Sequence, residues 1–208
     1  MTSHEPTTSE RFDEAAADFA RLRPLLWDPV ARSTLAVSRP SARERVLDAC
    51  CGDGASALPT AEAVGIGGRV DAVDVSAGLL ETLRHRARAT PWLRCHHQDL
   101  MTWAPAERYD LVQCVLGVFF LPDMAAATRH LVGLTRPGGR IAITIWRRGA
   151  IEPLGAALRE ALGAPPPEAR PTEPPLIARV NTVPTWGEWL REIGLEEVQV
   201  QENEALRR

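Results

Sequence analysis

The chain contains no lysine: all 24 of its basic residues are arginine. That absence excludes every mechanism that needs an ε-amine. No Schiff base can form, no pyridoxal phosphate can be anchored, and no Walker lysine can reach a nucleotide phosphate. A basic excess is missing as well, since the formal net charge over 208 residues is −3. Nucleic-acid-binding domains usually carry the opposite sign, so no nucleic-acid partner is expected. Long hydrophobic runs are also absent. The most apolar stretch, Leu111 to Pro122, is about half of a membrane span. The opening MTSHEPTTSERFDE lacks the apolar segment of a signal peptide. Cysteine is scarce: Cys50, Cys51, Cys95 and Cys114 form no C-x-x-C pair and have no H-x₃₋₅-H partner. They read as reduced, small core residues, and no metal site is expected. The sequence therefore reads as a cytoplasmic protein, monomeric or homodimeric, with no membrane span.

What is present suits one domain. Hydrophobic residues make up 45% and charged residues 25%, ordinary values for a globular chain with a substantial core. From about Arg45 to Arg147 the pattern alternates strand and helix, which predicts a parallel sheet covered on both faces. Strands are expected at Arg45–Ala49, Arg69–Asp74, Leu93–His97, Tyr109–Leu116 and Arg140–Trp146. Helices are expected at Ala55–Ala63, Ala77–Ala89 and Met124–Leu134, with Ser76 capping the second and Pro137-Gly138-Gly139 stopping the third. Before this core, Glu10 to Ala36 has helical spacing, which Pro24 and Pro29 should break into short pieces. After it, Ala164 to Pro184 is proline-rich, Thr185–Ile193 looks helical, and Leu195–Gln201 alternates like a sixth strand. The divisions are a helical cap over 1–43, a cofactor-binding core over 44–149, a substrate-side helix and proline-rich loop over 150–184, and the last helix and strand over 185–208.

The most informative run is Val46-Leu47-Asp48-Ala49-Cys50-Cys51-Gly52-Asp53-Gly54. A buried strand ends in a Gly-x-Gly turn, and Ala55-Ser56-Ala57-Leu58 opens a helix. Glycines there allow a tight turn and let a ligand lie against the main chain. Gly52-x-Gly54-x-x-Ala57 formally fits a dinucleotide fingerprint, whose pyrophosphate sits on a helix N-terminus. Asp48 and Asp53 would then face a dianion. A phosphate-free ligand with a cationic centre suits two carboxylates better, and S-adenosylmethionine is such a ligand.

VLDACCGDG resembles motif I of the class I S-adenosylmethionine-dependent methyltransferases, usually close to VLDxGCGTG. Cys50 stands for the first glycine and Asp53 for a common threonine, a variant similar to some ubiquinone/menaquinone-biosynthesis-type enzymes. The resemblance covers about Phe12 to Glu202. It implies a Rossmann-like doubly wound, mostly parallel α/β sheet and S-adenosylmethionine as cofactor. It implies a cofactor set of Asp48, Ala49, Cys51, Gly52 and Gly54 in motif I. Asp74 would accept both ribose hydroxyls, with Val75 against adenine. Asp99 and the N–H of Leu100 would read the adenine edge, and Cys114 and Val115 would offer carbonyls to the ammonium. The family also carries an antiparallel seventh strand after the sixth; the sequence stops at Arg208, which reads as a truncated form.

CVLGVFFLPD, Cys114 to Asp123, resembles the FGxMFFPD variant of a quinone-methyltransferase-like subgroup. The [DN]-P-P-[YF] motif of enzymes that methylate adenine, cytosine or glutamine amines is absent, which disfavours those acceptors. Phe19, Trp27, Val118, Phe119 and Trp146 are the candidate walls of an apolar acceptor pocket. His96-His97 are neighbours on a strand, so only one could face a site, and both read as structural. No residue stands out as a catalytic base. The expected function is methyl transfer to a small apolar or aromatic metabolite, at carbon, oxygen or nitrogen. The alternatives are a cyclase on the same scaffold, or a non-catalytic cofactor-binding subunit.

Overall fold

The computed structural model describes residues 6–153, 156, 160 and 174–203. Two compact units divide the chain, Met1–Thr144 with Asn203–Arg208, and Ile145–Glu202. The first unit is built on a parallel sheet of five strands: β1 (Arg45–Ala49), β2 (Arg69–Asp74), β3 (Leu93–His97), β4 (Tyr109–Val115) and β5 (Thr135–Thr144). Their spatial order is β3-β2-β1-β4-β5, and every pairing is parallel. The chain reverses its direction of growth between β1 and β4. In open α/β sheets the crevice beyond the strand ends at such a switch point is where ligands lie.

Helices α4 (Ala57–Val64) and α5 (Ala77–Arg86) cover one apolar cluster, in which Val46, Val70, Ala72 and Leu111 meet Ala61, Val64, Leu80 and Leu83. Ser76 caps α5 as expected, its hydroxyl accepting the Leu79 N–H at 3.2 Å. α6 (Met124–Leu134) is capped by Asp123. It ends without help from Pro137-Gly138-Gly139. Thr135 already pairs with Tyr109, and the Pro-Gly-Gly run forms an irregularity inside β5, where Gly138 has φ 73°. Buried Asp71 is held by Arg69 at 2.8 Å, His96 at 2.8 Å and the Tyr109 hydroxyl at 3.1 Å. His97 faces the Val75 carbonyl at 2.9 Å, so both histidines have structural partners.

The N-terminal segment stays helical through its prolines. α1 (Thr8–Glu14) and α2 (Ala16–Leu22) lead through a π-turn (Arg23–Trp27) into α3 (Asp28–Ser38). Pro24 and Pro29 each occupy a first-turn position, where a missing N–H costs nothing. The expected break is therefore a change of helical pitch.

In the second unit, α7 (Leu176–Val180) precedes α8 (Val183–Glu192), which Thr182 and Thr185 cap reciprocally. Most of the expected substrate-side helix and the proline-rich stretch as far as 173 lie outside the described residues; the rest of that stretch, expected as loop to Pro184, is helical in α7 and the first residues of α8. The sixth strand expected at Leu195–Gln201 is not formed. Alternation supplies one apolar face but no partner. The segment instead folds back on α8: Arg191 donates to the Val198 carbonyl at 3.2 Å, and a Cβ at Gly187 would lie 3.3 Å from Val200.

Candidate cofactor and acceptor site

The turn after β1 bends by three left-handed residues within five positions: Cys50 (φ 54°), Gly52 (φ 53°) and Gly54 (φ 85°). Cys50 occupies the place where the motif usually has glycine, and the backbone still adopts the glycine conformation there. A side chain at Gly54 would have to displace buried Leu83, since its Cβ would come within 2.2 Å of the Leu83 Cδ1. Gly52 differs: a Cβ there would have no neighbour nearer than Leu79 at 3.9 Å. One side of the turn is thus held against α5 while the other is open enough for a ligand to approach the main chain.

The turn after β4 leans on it. Leu116 is also left-handed (φ 56°), and a Cβ at Gly117 would fall 2.4 Å from Cys50 Cβ. The neighbouring Cys114 thiol and burial together push the free Cys50 thiol well up. The Cys50 thiol therefore stays protonated and acts as packing.

Asp74 closes the third side. It accepts the Gly52 N–H at 2.8 Å and the Ser76 N–H at 2.9 Å. Burial raises its pKa, with these amide donors opposing the rise. A carboxylate offers about four acceptor positions, so it retains capacity for hydroxyl donors. Half-buried Val75 follows it. Asp99 is exposed and caps a 3₁₀ turn through the Met101 N–H at 2.9 Å, with Leu100 buried behind it. The Gln98 N–H binds the Asp74 carbonyl at 3.0 Å, bringing the ends of β2 and β3 together. Cys114 is buried and Val115 half-buried at the end of β4. The sequence-derived positions from β1 to β4 thus converge on one edge of the sheet.

Two carboxylates lie elsewhere than expected. Asp48 is fully buried beside α4, where it accepts the Ser56 hydroxyl at 2.7 Å and the Gln113 amide at 3.1 Å. Burial pushes it up to about 7, with Ser56 and Gln113 opposing the rise and Asp74 adding to it. Asp53, 2% exposed, is gripped by Arg23, whose Nε and Nη2 both reach Oδ2, the former at 2.8 Å. Neither carboxylate lies open on the turn, so the two acids do not face a bound ligand as the sequence suggests. Asp53 carried a signal in the sequence: an acid inside a glycine turn needs a partner, and Arg23 supplies it.

Of the residues expected to wall an acceptor, Phe19, Trp27 and Phe119 join a continuous chain of rings. Phe119 meets Phe120 at 4.7 Å, Phe120 meets Phe12 at 5.1 Å, Phe12 meets Phe19 at 5.6 Å, and Phe19 stacks on Trp27 at 4.8 Å. Phe120 belongs to the same apolar segment as Phe119 and is part of the expected wall, while Phe12 is the ring that the expectation lacks and that links Phe120 to Phe19. Val118 is 0% exposed and lies behind this wall rather than on it. Trp146 is half-buried in the second unit.

Comparison with known proteins decides the family. Residues 46–139 match the family described as a methyltransferase domain. Aklanonic acid methyltransferase DauC of Streptomyces sp. (strain C5) is 34% identical over 153 residues, covering 71% of this chain and 70% of that enzyme. The chain belongs to the S-adenosylmethionine-dependent methyltransferases. A 2-phytyl-1,4-naphtoquinone methyltransferase of Synechococcus elongatus is 35% identical over 106 residues, 48% of this chain and 45% of that enzyme. With several curated relatives, including this one, the match thus spans about half of their length or less. A SAM-dependent methyltransferase from Aquifex aeolicus shares the fold at a TM-score of 0.63 and 16% identity, covering 88% of each chain. The methyltransferase accordingly uses S-adenosylmethionine as its cofactor. Its open turn at Gly52 and the spare acceptor capacity of Asp74 fit that molecule.

Proposed function

We propose that this methyltransferase transfers the cofactor's methyl group to a small aromatic or otherwise apolar metabolite. The observation that carries the reading is the chain of rings from Phe119 to Trp27, which adjoins the turn after β4. Flat apolar acceptors bind such walls through buried area, worth about 25 cal/mol per Å², and a few polar groups set their orientation. The relatives named for aklanonic acid and for a naphthoquinone support the same class. So does the quinone-methyltransferase-like motif from Cys114 to Asp123.

In this reading Ala49, Cys51, Gly52 and Gly54 present backbone to the methionine part of the cofactor. Asp74 holds the ribose, Val75 packs on the adenine, and Asp99 with Leu100 reads its edge. The carbonyls of Cys114 and Val115 face the ammonium. Asp48 acts from behind, fixing Ser56 at the opening of α4 rather than touching ligand. When bound, S-adenosylmethionine supplies a methyl group on a sulfonium whose charge disperses during transfer. The chain's own contribution is alignment and exclusion of water, and holding the acceptor in line recovers several kcal/mol otherwise lost to entropy.

The test is incubation of the protein with methyl-labelled cofactor and panels of phenols, quinones, peptides, RNA and DNA. Labelling confined to the small aromatic compounds is the expected result. Stoichiometric labelling of a macromolecule would overturn the acceptor class while leaving the cofactor in place.

A further inference from the structure

Residues 7–27 are tied across three of the loops that carry the candidate cofactor and acceptor residues. Ser9 Oγ donates to the Val75 carbonyl at 2.8 Å. Asp13 accepts the Ser76 hydroxyl at 2.6 Å and the Gly78 N–H at 2.9 Å, and the first of these bonds holds its pKa below the usual range. Phe12 meets Phe120 edge-on, and Arg23 reaches Asp53. One short segment therefore touches the β1–α4, β2–α5 and β4–α6 turns together.

The segment's apolar hold is the half-buried ring chain of Phe12, Phe19 and Trp27, which reaches Phe120. Neither α1, α2 nor the π-turn contains a buried residue. Helices of about two turns without a buried face are poorly stable, and elements with few buried contacts open at low cost. The Asp13–Gly78 bond is exposed, where water competes for it, and the Asp13–Ser76 bond is part-buried. Arg23–Asp53 is the sequestered contact, with side chains 16% and 2% exposed. Asp53 cannot sit there uncharged-for: a buried carboxylate needs a cation, and charge-assisted bonds in such places are the strong ones. Arg86 braces the same residue by donating to the Asp53 carbonyl at 2.6 Å.

We propose that residues 7–27 form a closing arm over the cofactor mouth, and that Arg23, acting through Asp53, is the positioning residue that keeps it shut. This rests on the cofactor lying at this edge of the sheet, as described above. The substitution of aspartate for the motif's common threonine then has a purpose. It gives the turn a handle for the arm.

The experiment uses the full chain and S-adenosylhomocysteine, followed by stopped-flow dissociation and by trypsin cleavage at Arg11 and Arg21. Arg23→Met and Asp53→Thr should each release the ligand at least tenfold faster and expose both cleavage sites. Arg23→Lys, which keeps the charge, should restore much of the slow release, which a merely structural role for the guanidinium shape would not give. Should Arg23→Met fail to fold, Asp53→Thr decides alone, since it removes the buried acid together with the contact. Wild-type release rates and cleavage patterns in the variants would overturn the arm while leaving the cofactor site intact. Failure of the wild-type chain to bind the ligand would instead overturn the cofactor site, and the latch would then stand or fall on cleavage alone.

Discussion

Asp74 and Gly52 are joined by a 2.8 Å hydrogen bond from the glycine N–H to the carboxylate, so the residue at the end of β2 also shapes the turn after β1. Replacement of Asp74 by alanine removes this tie, the Ser76 tie, and the acceptors offered to ribose. Bonds to a charged group are worth about 1.5–3 kcal/mol each. Calorimetry should show S-adenosylhomocysteine binding at least tenfold weaker in Asp74→Ala. An unchanged affinity would place the ribose elsewhere and remove the motif assignment with it.

The two glycines of the turn should fail differently. Gly54→Ala forces a methyl group to within 2.2 Å of Leu83 at a φ of 85°, so the cost falls on the fold. Overpacking and backbone strain together come to about 2–5 kcal/mol, visible as a lower melting temperature. Gly52→Val meets no neighbour but is strained at a φ of 53°, so it also costs some stability; its distinguishing loss should be cofactor binding, in a protein that still gives a native circular dichroism spectrum. A Gly54→Ala protein as stable as wild type would show that α5 yields readily. Normal binding by Gly52→Val would show that the turn does not cradle the cofactor.

Phe119→Ala should raise KM for an aromatic acceptor several-fold while leaving S-adenosylhomocysteine affinity unchanged. The ring contacts Phe120 in the wall and has no polar tie to the turns that hold the cofactor. Loss of cofactor affinity in this variant would move Phe119 from the acceptor side to the cofactor side.

β1, β2 and β3 are legible to the residue in the sequence, because buried parallel strands read as short apolar runs bounded by turn residues. The Ser76 cap is legible from local capping chemistry, whereas α6 ends at Leu134 because Thr135 joins the sheet, not at the Pro-Gly-Gly run expected to stop it. What is not legible is non-local. Leu195–Gln201 has the alternation of a strand, but only a partner edge makes one, and Arg191 takes the Val198 carbonyl instead. Asp48 shares with Val46 the face that α4 covers, a parity visible in the sequence; the cover itself is not. Asp53 shows its need for a cation, yet Arg23 lies 30 residues away and reaches it only through the π-turn.

Asp48 gives a pH dependence whose sign follows from its burial. Its carboxyl titrates at about 7 in the fold against 3.8 as its ordinary value, burial being the largest cause. The folded state therefore holds a proton that the unfolded chain releases between these limits. The contribution of Asp48 to stability is therefore greatest below about pH 4, falls as pH rises from there to about 7, and levels off above. Ser56, Gln113, Asp74 and Cys51 surround the group, and of these the nearby charge is that of Asp74, which has the same sign and deepens the effect. Asparagine at position 48 cannot titrate. Urea unfolding at pH 5, 6, 7 and 8 should show Asp48→Asn gaining on wild type by a few kcal/mol across that interval. Whatever fixed cost the amide carries shifts its whole curve and leaves the slope difference untouched. Parallel curves for the two proteins would mean that Asp48 titrates alike folded and unfolded, and that water reaches it beneath the turn.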